Sequence, residues 1–330
     1  ACETDEIVFC GCGSEADNMA LRSTVLLRRH ELAKDATPHV ISSAIEHPAI
    51  TACLDSMAKL GEAEVTYVGV DDEGRVDPAE VAAAVRASTV LVSIMHSNNE
   101  VGTVQDIKAI ASAAREAHKA MGGSCHELLV HTDAAQSVGK VAVHPKELGA
   151  DLATVVGHKF GAPKGIAVLY VRKGVPLPPL LRGGGQEGGR RAGTEAVSQV
   201  VAMGAAAQVV SGELSAIAMH MRQLVKQLHQ ELVAALGKDS LRVNGPALSA
   251  GDVKRLPNTL SIGIKGASAG AILKDLSKKN VAASASAACH TADTAHAQVS
   301  FVLKAMKVPH EFALGTLRLS VGRHTTAEEV

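Results

Sequence analysis

LATVVGHK, residues 152–159, is the stretch around which the rest of the chain is interpreted. Its apolar part, Leu152 to Val156, is typical of a short buried strand, and Gly157 allows the chain to turn. The turn places His158 beside Lys159 at the strand end. Because an ammonium is costly to desolvate, this lysine either extends to water or has a lowered pKa and serves as an amine. The second alternative suits a lysine that forms a Schiff base, and the surrounding motifs have to decide between the two.

Length and composition indicate a folded globular protein with two domains. The chain has 330 residues, enough for a large core, and 46% of them are apolar. Its net charge of -1 does not indicate the excess of positive charge that binding to nucleic acid or to an anionic membrane requires, and we predict neither partner. The longest uncharged run, Ala196 to Gly212, is shorter than the roughly 20 residues that span a bilayer, so we expect a buried helix there.

The spacing of the cysteines and the first residues of the chain are the features that concern its cellular compartment. The six cysteines show no paired C-x-x-C spacing, so we expect reduced thiols. Cys10-Gly11-Cys12 is a weak sign of a metal site, and we predict no metal. The chain starts without methionine, almost directly in a strand, and we therefore expect a fragment of a longer protein. We predict a cytoplasmic location, with an organelle as the alternative if a targeting segment has been removed.

Strands alternate with helical patterns in the first part of the chain. The predicted strands cover residues 6–10, 39–43, 64–68, 90–95, 128–131, 152–156 and 166–171, and helices cover 77–86 and 105–120. This alternation predicts an α/β domain with a mainly parallel sheet flanked by helices. A further helix is predicted from Thr194 to about Leu236, and we place the domain boundary inside it, near Gly212. The predicted domains are therefore 1–212, which binds the ligand, and 213–330, a smaller α+β domain with strands at 259–264 and 317–321.

Five polar side chains follow the carboxyl ends of different predicted strands. They are Ser14, His47, Asn99, Asp133 and Lys159. Ligands bind at that edge of open α/β sheets. Ser14 opens a helix after a glycine-rich turn, where backbone N–H groups and the helix dipole attract phosphate. An amine, a carboxylate and a phosphate seat together match pyridoxal phosphate. Taken alone, Lys159 and His47 are more often ordinary structural residues, and Asp133 could equally cap a turn.

Two further segments contain residues that could bind an anion or react as a nucleophile. Residues 182–195 combine glycines with Arg182, Arg190 and Arg191, which suits a surface loop, an anion site or a subunit contact. Cys289 lies in a run of small residues, 284–297. A thiol on such a loop can move and react, and a buried inert cysteine is the equal alternative.

Eight motifs in order resemble one family, the pyridoxal-phosphate cysteine desulfurases and selenocysteine lyases of the class V aminotransferase group. The motifs are GSEADN, EHPAI, HSNNEVGTVQD, HTDAAQSVGK, GHKFGAPKG, GGGQEGGRRAGTE, SAACHT and LRLSVGRHTT. The resemblance covers nearly the whole chain. It implies a fold-type-I pyridoxal-phosphate enzyme with the catalytic cysteine loop in the smaller C-terminal domain.

The resemblance also implies catalytic roles. Lys159 would be the Schiff-base lysine, Asp133 the partner of the pyridinium nitrogen, and Gln136 a hydrogen-bond donor to the ring hydroxyl. His47 would stack on the ring and assist proton transfer. Cys289 would be the nucleophile that takes the sulfur.

Phosphate and substrate contacts are implied as well. The phosphate would be held by Gly13, Ser14, His158 and, from a second subunit, Thr194. Asn99, which also lies at the cofactor, and Arg318 would bind the substrate carboxylate, Arg318 as a bidentate fork.

The implied activity is removal of sulfur from L-cysteine by a homodimer, giving alanine and an enzyme persulfide for a sulfur acceptor or an iron–sulfur scaffold protein. SAACHT and LRLSVGRHTT look more like the selenocysteine lyases, whereas GGGQE and RRAGTE look like the desulfurases, so lyase activity on L-selenocysteine remains an alternative. An aminotransferase would need no nucleophilic Cys289. A different class of alternative is an inert binding partner in sulfur transfer or iron–sulfur cluster assembly.

The chain departs from the family pattern at four places. Val156 replaces a phosphate-binding Ser or Thr of many members, and Ser14 replaces a more usual Thr. Gly161 and Ala162 stand where a Tyr-Gly pair is common. An N-terminal segment with an Asn-Ala-Ala-Thr-Thr-like turn near the substrate is expected in the family and is absent from these residues, so we expect the chain to be incomplete as a catalyst.

Overall fold

The computed structural model describes residues 2–29, 31–32, 36–122, 128–251, 254–285 and 299–330. The chain forms two compact units. The first contains the chain up to Gly69 together with Val76–Ser97 and Gln105–Gly212, and the second contains Val70–Arg75, Asn98–Val104 and Glu213–Val330. The predicted division into domains 1–212 and 213–330 stays a prediction.

A seven-stranded sheet forms the centre of the first unit. Its strands are β1 (Ile7–Cys10), β2 (His39–Ser43), β3 (Glu64–Val68), β4 (Thr89–Ser93), β5 (Leu129–Asp133), β6 (Leu152–Val156) and β7 (Ala167–Val171). The strand order is β1-β7-β6-β5-β4-β2-β3. Neighbouring strands are parallel from β6 through β3, whereas β7 is antiparallel to both β1 and β6. The predicted mainly parallel sheet is confirmed, and every strand except β7 ends at the same edge.

Helices cover this sheet. They are α1 (Gly13–Arg29), α2 (Pro48–Lys59), α3 (Pro78–Ala84), α4 (Ile107–Ala120) and α5 (Pro145–Leu148). The inner strands β2, β4 and β5 are buried at every residue, as strands covered on both faces require. The edge strands β1 and β3 are only partly buried. The fourth strand begins one residue earlier and ends two residues earlier than predicted, and beyond its end the N–H of Met95 donates to the carboxylate of Glu46.

The long helix α6 (Val197–Leu236) corrects one expectation. Its residues up to Gly212 belong to the first unit and were expected to be buried, yet Val197 and Val201 are 65% and 66% exposed. The helix is long and apolar enough to cross a membrane, but length and composition alone are weak evidence for a membrane span. Its most apolar window has a mean hydropathy of 1.5, and 17% of that window is buried. An apolar helix face is therefore exposed in the single chain.

The second unit is built on an antiparallel sheet. Its strands are β8 (Leu241–Val243), β9 (Thr259–Ile264), β10 (Ser284–Ala285) and β11 (Thr316–Ser320), in the order β10-β11-β9-β8. The remaining helices are α7 (Ala269–Lys278), α8 (Phe301–Ala305) and α9 (His310–Ala313). The C-terminal half of α6 buries Met221, Leu224 and Val225 in one core with Leu260 and Ile262 of β9. The predicted α+β character of this part is confirmed.

Candidate active site

Lys159 ends a short 3-10 helix, Gly157–Lys159, that directly follows β6. A Cβ on Gly157 would lie 2.9 Å from Cγ2 of Ile166 and 3.1 Å from its carbonyl oxygen, so the tight turn requires glycine. Lys159 itself is exposed. The structure therefore places this lysine at the carboxyl edge of the sheet, where its amine is accessible to a bound molecule.

Asp133 is the last residue of β5 and is buried, with 6% of its surface exposed. Its Oδ1 accepts a hydrogen bond from the N–H of Ala135 at 2.8 Å. Desolvation raises the pKa of Asp133, while that N–H and the positive charge of Lys159 oppose the rise. A buried carboxylate favours a positive group beside it, because that group offsets the cost of desolvating the charge.

His47 is the N-cap of α2. Its Nδ1 accepts a hydrogen bond from the N–H of Ala49 at 3.1 Å, which leaves the proton of the neutral ring on Nε2. Partial desolvation of the imidazole, followed by the charge of Lys159, lowers the pKa of His47, although the residue as a whole is exposed. The ring is therefore neutral near pH 7 and can accept or donate a proton close to Lys159.

Gly13 and Ser14 form the first turn of α1, where backbone N–H groups have no acceptors within the helix. Ser14 is exposed. The turn before it is fixed by Glu15, whose carboxylate accepts from the N–H of Gly11 at 2.7 Å and pairs with Arg191 at 2.7 Å. His158 is also exposed, and partial desolvation together with the charges of Lys159 and Lys164 lowers its pKa. Gly13 and Ser14 thus lie at a helix start, the kind of position that favours an anion, and their contact with a phosphate stays a prediction.

Lys140 is a site residue that the sequence did not single out. It is buried, and its Nζ donates to the carbonyl oxygens of Gln136 at 2.9 Å and Lys159 at 3.4 Å. Desolvation, with a smaller contribution from the charge of Lys159, lowers its pKa to about 8. It fixes the backbone at two predicted site residues. Its place in the HTDAAQSVGK motif was the available signal.

Two buried acids were also missed. Asp17 of α1 has an Oδ1 without a hydrogen-bond partner, 3.9 Å from Nε2 of His131. Desolvation, and then the negative charge of Asp133, raise the pKa of Asp17. Glu46 accepts from Ser43 and from the N–H of Met95, and desolvation raises its pKa to about 8. Asp133 therefore lies among acids that favour their neutral form, so the anionic charge is concentrated on one carboxylate.

The predicted substrate residues belong to the second unit. Nη1 of Arg318, on β11, donates to the carbonyl oxygen of Asn99 at 3.0 Å, which brings these two residues together. Thr194 is exposed beside a cavity of about 360 Å³ in the first unit, which Phe9, Gly11 and Arg191 also line. Cys289 lies outside the described residues.

The first-unit residues fit pyridoxal phosphate by their chemistry. Lys159 supplies the amine, Asp133 a buried counter-charge for a protonated ring nitrogen, and the start of α1 an anion seat. Gln136 is half-buried at the same strand end. Besides desolvation, the charge of Lys159 lowers the pKa values of His47 and His158, and it opposes the rise in the pKa of Asp133, so it acts on all three groups.

Comparisons with known proteins agree with this geometry. The family model "Aminotransferase class-V" matches residues 1–330. The cysteine desulfurase IscS of Dictyoglomus turgidum is 35% identical over 328 residues, covering 99% of this chain and 77% of the relative. The selenocysteine lyase of Xenopus laevis is 38% identical over 340 residues, covering 99% and 78%. A solved NifS-like protein, 33% identical, superimposes with a TM-score of 0.84 over 99% of this chain and 80% of that chain, which confirms the predicted fold class.

Proposed function

Because the chain belongs to the class-V aminotransferase family, we propose that it is a pyridoxal-phosphate-dependent cysteine desulfurase, converting L-cysteine to L-alanine and keeping the sulfur as an enzyme persulfide. The observation that carries this proposal is the electrostatic grouping of Lys159 with Asp133 and His47 at the carboxyl edge of the sheet. An amine, a buried carboxylate and a neutral imidazole at one place are the groups that amino-acid chemistry at Cα requires.

The residues that would hold the cofactor follow from the site. Lys159 would bind it covalently, Asp133 would pair with its ring nitrogen, Gln136 would donate to its ring hydroxyl, and the start of α1 with His158 would hold its phosphate. Bound pyridoxal phosphate supplies an electron-withdrawing ring that acidifies the substrate Cα–H. Asp133 remains the anion there because the neighbouring acid Asp17 has a raised pKa.

Proton transfer is assigned to Lys159 and His47. The amine of Lys159 would act as the general base that removes the Cα proton of the substrate. His47, neutral and with its proton on Nε2, can exchange a proton without creating a second cation beside the lysine. Lys140 positions this chemistry by holding the carbonyl oxygens of Gln136 and Lys159.

Sulfur transfer is assigned to Cys289. Its thiolate attacks the substrate sulfur, an S–S bond forms, and the bond between Cβ and sulfur breaks. The electron pair of the broken bond stays with the carbon product, which takes up one proton at Cβ, regains at Cα the proton that Lys159 removed, and leaves as alanine. Arg318 and Asn99 would hold the substrate carboxylate during this step, with the guanidinium as the charged partner.

We also propose a homodimer. The exposed apolar face of α6, with Val197, Val201 and Val209, is suited to a second copy of the chain, because exposed apolar patches on a folded protein mark interaction sites. Thr194, exposed just before this helix, would then reach the partner's phosphate group. Transfer of the persulfide to a sulfur acceptor or an iron–sulfur scaffold protein completes the proposal, and the cytoplasmic location stays a prediction.

A second activity is favoured by one observation, the 38% identity to a selenocysteine lyase. The same residues would release selenium from L-selenocysteine, and less activation is needed because a selenol is more acidic than a thiol. Transamination would leave Cys289 without a role, and a purely inert partner would have no use for the grouped Lys159, Asp133 and His47.

The test is alanine formation from cysteine and from selenocysteine, measured in parallel on cofactor-loaded protein. Lys159→Ala should abolish both, and activity retained in this variant would contradict the mechanism. Cys289→Ser should remove turnover of cysteine while sparing part of that of selenocysteine. Turnover of selenocysteine alone by the unmodified protein would identify a selenocysteine lyase. No visible absorption band from bound cofactor, together with no turnover of either substrate, would favour the inert partner.

A further inference from the structure

A cavity of about 620 Å³ lies in the second unit, between the C-terminal half of α6 and the segment that connects β8 to β9. The described residues that line it include Arg222, Val225, Lys226, His229, Leu248 and Arg255. None of them has a role in the proposed reaction. The volume is within the roughly 300–1,000 Å³ range of small-molecule sites.

Arg255 is the buried charge of this cavity, with 4% of its surface exposed. Its guanidinium donates to the carbonyl oxygens of Asn244 at 3.2 Å, Pro246 at 2.5 Å and Thr259 at 3.0 Å, and its Nε has no hydrogen-bond partner. Desolvation lowers its pKa to about 10, which leaves it cationic at neutral pH. Carbonyl dipoles compensate a buried cation less well than an anion does, so this side chain favours a negative ligand.

The α6 wall adds basic character. Arg222, Lys226 and His229 are spaced by four and three residues and therefore share one face of the helix. Lys226 is exposed at the rim. Desolvation and the charge of Arg255 lower the pKa of His229, which makes its neutral ring a hydrogen-bonding group. Among the described lining residues there is no aspartate or glutamate.

The remaining walls are apolar. Val225 contributes from α6, and Val243, Leu248, Leu256 and Pro257 contribute from the connecting segment and its flanks. A free inorganic anion would lose its hydration on entering the cavity and would gain no favourable contact with the apolar walls. An anion attached to an apolar body satisfies both the buried guanidinium and the apolar walls.

We propose that this cavity is a binding site for a small organic monoanion, a carboxylate carried on an apolar body. The carboxylate contacts Arg255 and Lys226, and the apolar body packs against Val225 and Leu248. This site goes beyond the proposed desulfurase activity and does not depend on it.

The test uses the cofactor-loaded full chain and 1-naphthoate as the probe, with calorimetric titration and probe fluorescence as readouts. We expect saturable binding of one naphthoate per chain. The neutral isostere 1-naphthamide and inorganic phosphate should each bind about tenfold more weakly, because one lacks the charge and the other lacks the apolar body. Equal binding of naphthoate and naphthamide would overturn the proposal.

Variants locate the probe without touching the structural Arg255. Lys226→Glu should weaken naphthoate binding by about tenfold, and Leu248→Trp, which fills the cavity, should abolish it. Lys238→Glu is the matched control, since Lys238 is exposed in the same unit and does not line the cavity. An equal loss of naphthoate binding in Lys226→Glu and Lys238→Glu would contradict the assignment of the probe to this cavity.

Two further variants test whether the probe occupies this cavity or another part of the protein. Arg318→Ala removes the proposed substrate-carboxylate contact and should leave naphthoate binding unchanged. Loss of binding in Arg318→Ala, with retention in Lys226→Glu, would show that the probe occupies the reaction site instead. Asp252 lies outside the described residues and follows Gly251 in the chain. Naphthoate binding that occurs only in Asp252→Asn would mean that the cationic cavity is satisfied by the protein's own carboxylate, and the proposal would fall.

Discussion

A Cβ atom on Gly13 would lie 2.6 Å from Cγ2 of Val156, so the start of α1 and the end of β6 are in direct contact at the proposed phosphate seat. Carbon atoms that are not bonded prefer separations of about 3.5–4.0 Å, so no side chain fits at position 13 while valine occupies position 156. Glycine is therefore required at position 13 while a residue branched at Cβ, such as Val156, lies opposite it. A larger residue at one position requires a smaller residue at the other.

This contact predicts a compensating pair of substitutions. Val156→Ser shortens the side chain and adds a hydroxyl at the phosphate seat, so the affinity for pyridoxal phosphate should rise by about three- to tenfold. Gly13→Ala should lower it, and the double variant should recover it. Cofactor titration of the apoprotein, followed by absorbance, measures all three. Val155→Ser is the control, since Val155 points to the other face of β6, and an equal gain there would refute the link.

Arg318 should determine substrate affinity rather than cofactor binding. Arg318→Lys keeps the positive charge but loses the planar fork that matches a carboxylate, so the KM for cysteine should rise by about tenfold or more. The visible absorption of bound cofactor should stay the same. Steady-state kinetics and a spectrum check both points. Arg323→Lys, at an exposed arginine nearby in sequence, should change neither. A change in kcat with unchanged KM would contradict the assignment.

Glu46 should make the protein less stable as the pH rises. Burial raises its pKa from 4.5 to about 8, so between these values the folded state holds a proton that the unfolded state has released. The free energy of unfolding therefore falls as the pH increases across this window. Glu46→Gln should flatten that decline in Tm of the apoprotein. The exposed Glu147→Gln is the control. A parallel pH dependence in Glu46→Gln and the unmodified protein would disprove the raised pKa.

The exposed face of α6 should be the dimer interface. Val201→Glu places a charge on that face, so the dimer should dissociate by at least tenfold more readily if a second copy covers it, an order-of-magnitude estimate for a buried unpaired charge. Analytical ultracentrifugation measures this dissociation. Leu60→Glu is a matched control, because Leu60 is also 66% exposed but follows α2. Dissociation in the Leu60 variant alone would place the interface elsewhere.

Much of the fold follows from local patterns. Apolar runs predicted the strands of the large sheet to within a few residues, because a buried strand is marked by its own composition. The residues at the strand ends, including Asp133 and Lys159, could be identified for the same reason. The exposed face of α6 could not be predicted, since an apolar helix has the same sequence pattern whether its own chain or another copy covers it.

The sequence by itself determined the order of the strands and helices, the family motifs and the polar groups that end at one edge of the sheet. Only the tertiary structure showed that Lys140 holds the backbone of Gln136 and Lys159, that Asp17 lies near His131, and that Arg318 contacts Asn99 from 219 residues away. Such contacts join positions far apart in the chain, so they leave no periodic signal in the sequence. The pKa values of the buried groups depend in the same way on desolvation and neighbouring charges, which only the packed chain creates.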